Sequence, residues 1–287
     1  TSPHQFCSTN VLIFHLQSID CHIVLSLFRK TGPLYFPLKH LYAPTLRIKI
    51  MLEIRDEHLD RFRKLKEHFL KGTTVPREGN WKSKTNNEIW LEIVKQVIVV
   101  GRSEPAEKLE RDVRLKNEIS YEELLRTDYN EEEMRKKINR VLREVGTRYH
   151  NKKTDALVNN FKMLSRFLGG PKDLLRRLSE YDGSEADKWR IEHMMRFKYI
   201  KSKGARDFLM ELGLVRNAIA LDTRIQDIFD KIGIQFPKEF VSNPQIYDEV
   251  ERDILERICK PLGVTGVELD RMLYQNKDRI VKMRLHN

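Results

Sequence analysis

Along most of the chain, apolar residues recur every three or four positions with charged residues between them, the period of an amphipathic helix. "NNEIWLEIVKQVIVVG" (86–101) becomes nearly continuously apolar in its second half, which predicts a buried central helix stopped at Gly101. "SYEELLRT" opens with Ser120 and Glu123 at capping-box spacing. "NEEEMRKKINRVLREVG" starts at Asn130, carries acids in its first turn and stops before Gly146. Further runs predict helices over 151–168, 171–180, 184–196, 203–213, 222–232, 244–260 and 265–276. "GTTVPREGNWKSKTNN" (72–87) is the clearest loop, and no strand, β-hairpin or repeat emerges. The pattern predicts an all-α protein of about ten helices, packed as two interleaved helical lobes.

The first fifty residues break this pattern. They hold one acid (Asp20), five Lys or Arg, four prolines, two of the three cysteines and no methionine. All eight methionines lie from Met51 onward, where "MLEIRDEHLDRFRKLKEHFLKG" begins the charge-rich helical pattern. Residues 1–50 are read as an N-terminal extension of doubtful origin ahead of a natural start at Met51, in preference to an acid-poor transit peptide, and are assigned no function. Residues 51–287 are read as the helical domain.

Composition narrows the partners. The 287 residues suit one large domain or two intimate ones. The 53 Lys and Arg against 42 Asp and Glu leave a net charge of +11, which favours a polyanionic partner, nucleic acid above all. No run of eighteen apolar residues exists to span a membrane. Only Cys7, Cys21 and Cys259 occur, no two at metal-ligand spacing. That excludes a disulfide framework, a cysteine zinc site and a four-cysteine iron–sulfur cluster within the chain, and fits a reducing intracellular compartment.

The candidate chemistry lies in "KSKGARDFLMELGLVRNAIALDTRI" (201–225), where Lys203 opens one helical run and Asp222 the next. An amine nucleophile must be neutral when it attacks, and both burial and a helix N-terminus favour the neutral form. Asp222 follows the apolar "NAIAL", where a carboxylate caps the next helix. "LVRNAIAL" returns the chain, so the two groups can meet. Taken singly, each has an ordinary reading: a solvated lysine at a helix start, and a common aspartate cap.

The stretch resembles the helix–hairpin–helix DNA glycosylases, the superfamily of endonuclease III and the 8-oxoguanine DNA glycosylases. It is most similar to the 8-oxoguanine glycosylase and abasic-site lyase branch that lacks an iron–sulfur cluster. The family's lysine, small residue, alanine, "FL" and glycine reappear as "KGARDFLMELG", and its aspartate's setting as "IALDTRI". The resemblance implies a helix–hairpin–helix element between the lobes, with the active site at their junction. It implies that Lys203 attacks the sugar C1′, that Asp222 assists base departure, and that a Schiff base and β-elimination then cut the strand. It further implies no metal or cofactor, and a duplex DNA partner whose damaged base is flipped out. A monomer is expected, with no membrane partner, in an intracellular, cytoplasmic setting, nucleoid-associated in a prokaryote.

Three other segments extend the resemblance, which covers residues 86–280. "NEIWLEIVKQVIVVGRSEPAEKL" resembles an apolar helix followed by the polar loop that fills the gap left by the flipped base. Arg102 or Ser103 would be the wedge, with a solvated loop as the equal alternative. "VGTRYHNKKTDALVNNFK" resembles the family's glycine–aromatic–lysine–alanine lead into a helix, and reads better as helix packing. "GVTGVELDRMLYQNKDRI" resembles the helix lining the base pocket, with Asp270 and Tyr274 on one face. There the ring would stack on a purine, and the carboxylate would accept from guanine N1–H and the exocyclic amine. The competing reading makes Tyr274 core and pairs Asp270 with a nearby Lys or Arg.

The family hairpin reads Gly-apolar-Gly, whose backbone amides grip a phosphate. Here the positions are Tyr199, Ile200 and Lys201, and neither Tyr199 nor Lys201 takes a glycine-only conformation cheaply. Side-chain contacts from Lys198, Lys201 and Ser202 are expected to hold the DNA instead. The expectation is a base-excision repair glycosylase with lyase activity, acting on 8-oxoguanine. The alternatives are the same fold acting on oxidised or mismatched pyrimidines, which an Asp270→Ala change would spare, and a non-catalytic helical DNA-binding module.

Overall fold

Several helices start where a short polar side chain, at Thr85, Asn130, Asp222, Asn243 or Thr265, holds their first free amides. The computed structural model describes residues 52–283 except Gly101, Asp128, Tyr129 and Ser184, so residues 1–50, read above as an extension, lie outside the described residues. The helices are α1 (Asp56–Phe69), α2 (Asn86–Ile98), α3 (Glu104–Arg111), α4 (Val113–Glu118), α5 (Tyr121–Leu125), α6 (Glu131–Glu144), α7 (His150–Leu164), α8 (Pro171–Glu180), α9 (Ala186–Met194), α10 (Ser202–Glu211), α11 (Thr223–Ile232), α12 (Pro244–Ile254) and α13 (Gly266–Lys282). The chain is all-α, with no strand among the described residues. Thr85 with Glu88 and Thr265 with Glu268 form complete capping boxes that start α2 and α13. Ser120 achieves only half of its predicted box: its hydroxyl accepts from the Glu123 amide, while the Glu123 carboxylate is taken by Arg126 and Lys137.

Two departures from the sequence pattern follow from sparse apolar contacts. The polar loop expected after α2 is short, because α3 and α4 are already helical, pinned by buried Ala106, Leu109 and Leu115. The loop over 72–87 contains a 3₁₀ turn, Asn80–Ser83, that buries Trp81 against the end of α10. There the Gly79 and Trp81 amides donate to the Gly213 and Leu212 carbonyls. Gly213 has φ +66, and a Cβ on it would stand 2.1 Å from the Arg77 carbonyl oxygen, so glycine alone closes the helix there.

Two hydrophobic cores result. One gathers Trp90, Phe161 and Phe208 from α2, α7 and α10; the other gathers Phe62, Phe229, Ile254 and Leu273 from α1, α11, α12 and α13. Helix α1 thus packs with the C-terminal helices, which is the interleaving the sequence predicts. The chain crosses from one core to the other through residues 218–221. Ala218 and Ala220 belong to the first core, and Ile219 and Leu221 to the second. That alternation is the period of extended backbone, and it delivers Asp222 to the boundary between the cores. Among the described residues no helix is long and apolar enough to cross a membrane.

Candidate active site

Lys203 is the second residue of α10, whose N-cap, Lys201, offers no side-chain acceptor. The turn before it is fixed from α7. Asn160, fully buried, donates from Nδ2 to the Lys198 carbonyl at 3.0 Å and accepts the Lys198 amide on Oδ1 at 2.7 Å. Phe197 and Ile200 anchor the turn in the core. Tyr199 sits at φ +65, so the turn takes a left-handed residue without a glycine, at the steric cost the sequence foretells. Lys201 does not: at φ −104 and ψ −176 it is ordinary extended backbone. The Lys203 ammonium lies 3.4 Å from Asp207 Oδ2, one turn along the same helix, with its side chain 37% exposed. The sequence led us to expect more burial than this.

Asp222 caps α11: its Oδ1 accepts the Arg224 and Ile225 amides at 2.9 and 3.0 Å. No hydrogen bond or ion pair joins it directly to Lys203; the two are connected through intermediaries. The crossing segment before Asp222 is held by buried side chains of the second core. Ile219 donates its amide to Glu251 Oε1 at 2.8 Å and accepts from the Tyr247 hydroxyl at 3.1 Å. Ala220 donates its amide to Asp270 Oδ1 at 2.9 Å. Glu251 also ties this segment to α10. Arg206, 2% exposed, forks onto both Glu251 oxygens at 2.8 and 2.6 Å and reaches Asp248 at 2.7 Å. Its remaining nitrogen donates to the Ser202 carbonyl at 3.1 Å, and its guanidinium lies 4.4 Å over the Tyr247 ring.

Asp270 and Tyr274 share a face of α13 but differ in exposure, 2% against 40%. Burial, reinforced by the neighbouring Asp207 and opposed by Arg271 and the Ala220 amide, pushes the Asp270 carboxyl up to about 7. The Tyr274 ring carries the Arg224 guanidinium at 4.9 Å, beside the Asp222 cap. Arg271 lies 3.4 Å from Asp207 and 4.0 Å from Asp270, so a line of contacts runs from Lys203 through Asp207, Arg271 and Asp270 to Ala220, two residues before Asp222. Lys203 is thus linked to Asp270 and to the segment that leads into Asp222, while Tyr274 is reached through Arg224. Gln96 of α2 joins this line, donating to Asp207 at 3.2 Å. Despite its burial, Asp207 is held below the usual carboxylate range by the Lys203 and Arg271 cations.

Arg102 and Ser103 follow the C-terminus of α2, the end that also carries Gln96. Arg102 donates to the Gly146 carbonyl at 3.3 Å, and Ser103 is the N-cap of α3. Lys153, 1% exposed, donates to the Ile98 and Val100 carbonyls at 3.0 and 3.2 Å. Burial lowers its pKa. Beside it Tyr149 holds φ +54 with 72% exposure. Sequence reasoning passed over Asn160, Lys153, Gln96, Arg206, Asp207 and Arg271. Asp207 was visible as an i+4 partner of Lys203; for Gln96 and Arg271, on distant helices, no local signal exists. Among the described residues no group of three or more His, Cys, Asp or Glu is placed to hold a metal ion.

Residues 79–264 match the sequence family Ogg-HhH, described as 8-oxoguanine DNA glycosylase. No curated protein matches the chain. The fold is similar to the 8-oxoguanine DNA glycosylase of Thermotoga maritima, at 22% identity and TM-score 0.52, over 80% of this chain and 97% of that one. It is similar to that of Methanocaldococcus jannaschii, at 18% identity and TM-score 0.53, over 75% and 91%. A third structure, the M. jannaschii 8-oxoguanine glycosylase/lyase in complex with a 15mer DNA containing 8-oxoguanine, aligns at 19% identity and TM-score 0.52 over 78% and 99%. At these identities the likeness shows a shared fold.

Proposed function

The chain belongs to the 8-oxoguanine DNA glycosylase family, and on that premise we propose that it excises 8-oxoguanine from duplex DNA and cuts the strand through an imine formed on Lys203. The damaged nucleotide leaves the base stack to reach the site. Tyr274 offers its ring face to the purine, and Asp270, one turn back, accepts from N1–H and the exocyclic amine. The neutral Lys203 nitrogen gives its electron pair to C1′. The glycosidic pair leaves with the base, which takes up a proton. Opening of the sugar ring yields the imine, and loss of a C2′ proton then expels the 3′ phosphate. Asp222 keeps one oxygen on the α11 amides, leaving the other to steady the positive charge that develops on the sugar.

The observation that carries this reading is the line of contacts from Lys203 to the segment that delivers Asp222. Lys198, Lys201 and Ser202 hold the backbone on one side of the lesion, and the Arg102–Ser103 loop fills the stack on the other. The net charge of +11 supplies salt-dependent, sequence-independent affinity. The protein works as a monomer inside the cell, at the nucleoid if its source is prokaryotic. The M. jannaschii relative in complex with DNA containing 8-oxoguanine supports the same substrate here.

The test compares duplexes bearing 8-oxoguanine or an oxidised pyrimidine, cleaved by wild type and Asp270→Asn. The introduced amide keeps an acceptor for the Ala220 N–H but turns a donor toward the guanine edge. Selective cleavage of the 8-oxoguanine duplex, reduced about five- to 150-fold by the change, is expected from about 1–3 kcal/mol for a mispaired polar contact. Equal cleavage of both duplexes, unaffected by the change, would remove Asp270 from base selection.

A further inference from the structure

We propose that Glu251 is a positioning residue for base excision, its carboxylate setting the separation between Lys203 and Asp222. The inference deepens the reading of those two residues as the reacting pair and rests on it. Among the described residues no hydrogen bond or ion pair joins Lys203 directly to Asp222, so their spacing is inherited from the backbones that carry them. One atom connects those backbones. Glu251 Oε1 accepts from Arg206 Nε of α10 at 2.8 Å and from the Ile219 amide, just ahead of Asp222, also at 2.8 Å. Arg206 in turn reaches back to the residue before Lys203, donating to the Ser202 carbonyl at 3.1 Å.

The unit around that atom is buried and restrictive. Arg206 completes its fork on Glu251 Oε2 at 2.6 Å. Tyr247, one turn before Glu251 on α12, donates its hydroxyl to the Ile219 carbonyl at 3.1 Å and lies under the Arg206 guanidinium at 4.4 Å. Both backbone groups of Ile219 are therefore bonded to one face of α12. A buried ion pair contributes little net stability over apolar packing, whereas a two-bond fork fixes distance and angle. The other route between the two residues, through Asp207, Arg271 and Asp270, is looser, with contacts of 3.4, 3.4 and 4.0 Å that begin at the partly exposed Lys203. Cutting the glycosidic bond needs Lys203 and Asp222 together. Imine formation on an abasic sugar, whose aldehyde is already free, needs Lys203 alone. A change in their spacing therefore separates the two reactions.

The experiment compares wild type with Glu251→Gln in single-turnover excision from an 8-oxoguanine duplex and in borohydride trapping on a duplex with a preformed abasic site. The introduced amide keeps an acceptor for the Ile219 N–H but turns a donor toward Arg206, which retains Asp248 at 2.7 Å as its anionic partner. Excision should fall about ten- to 100-fold, the loss that a misplacement of up to about 1 Å causes. Trapping should stay within about threefold, and Asp248→Asn, which loosens Arg206 at its exposed side without touching Ile219, should change excision by less than about threefold. An unchanged excision rate in Glu251→Gln, an equal loss of excision and trapping, or an equal loss in Asp248→Asn overturns the proposal. Amide hydrogen exchange gives a readout that needs no DNA. In Glu251→Leu, which removes the shared oxygen, peptides covering 202–210 and 218–222 should exchange about five- to tenfold faster together. Faster exchange in one alone shows that Glu251 does not couple them, and overturns the proposal as well. If wild type does not excise 8-oxoguanine, the functional reading falls, and the exchange result alone decides whether Glu251 sets the spacing of the two segments.

Discussion

Replacing Asp270 by asparagine should make the protein's stability less sensitive to pH, by an amount set by where Asp270 lies. Its carboxyl is 2% exposed, and burial raises its pKa to about 7, against about 3.9 in an unfolded chain. The folded state therefore holds this proton more tightly than the unfolded one. The associated stability is fully present below about pH 4 and is lost as pH rises toward 7, with a slope of about 1.4 kcal/mol per pH unit. Across the whole window that amounts to about 4 kcal/mol, an upper bound because the site can relax. Asparagine does not titrate, and its carbonyl can still accept the Ala220 amide that Oδ1 accepts at 2.9 Å. Urea unfolding of both proteins at pH 4.5 and 7 should show the variant gaining about 2–3 kcal/mol on wild type between the two. Other titrating groups are common to both proteins and cancel. A difference constant to within about 0.5 kcal/mol over that range would refute the argument that burial raises the Asp270 pKa.

Two further substitutions probe what holds the site. Arg206→Met leaves Glu251, 7% exposed, with the Ile219 amide as its remaining donor; it should cost about 3–5 kcal/mol in urea unfolding, and the added Glu251→Gln change should recover much of it. Asn160→Ala removes both hydrogen bonds to Lys198; it should cost about 1–2 kcal/mol and weaken duplex binding in a fluorescence titration several-fold, because the turn before Lys203 loses its clamp.

How much of this was legible in the chain differs from residue to residue. Caps at Thr85, Asn130 and Thr265 are local, and the helices they start can be read directly. Helices α3 and α4 escape because a long polar stretch buries only Pro105, Ala106, Leu109 and Leu115. Lys203 and Asp222 stand out through the family pattern, and their geometry does not: the segment before Asp222 is positioned by Glu251, Tyr247 and Asp270, which lie tens of residues away. Tyr199 shows the limit of residue-type rules, since a tyrosine occupies a left-handed turn where glycine would be free of strain. The packing of Phe197 and Ile200 and the Asn160 clamp over-determine that turn, and none of these is visible from the turn alone.

The central claim is that the Lys203 amine bonds to the sugar. A duplex carrying one 8-oxoguanine, incubated with sodium borohydride and either wild type or Lys203→Gln, tests it most directly. The account predicts a covalent protein–DNA adduct with wild type and none with the variant. An adduct formed equally by both would place the nucleophile elsewhere, and none with either, on this duplex or on one with an abasic site, would contradict the lyase mechanism.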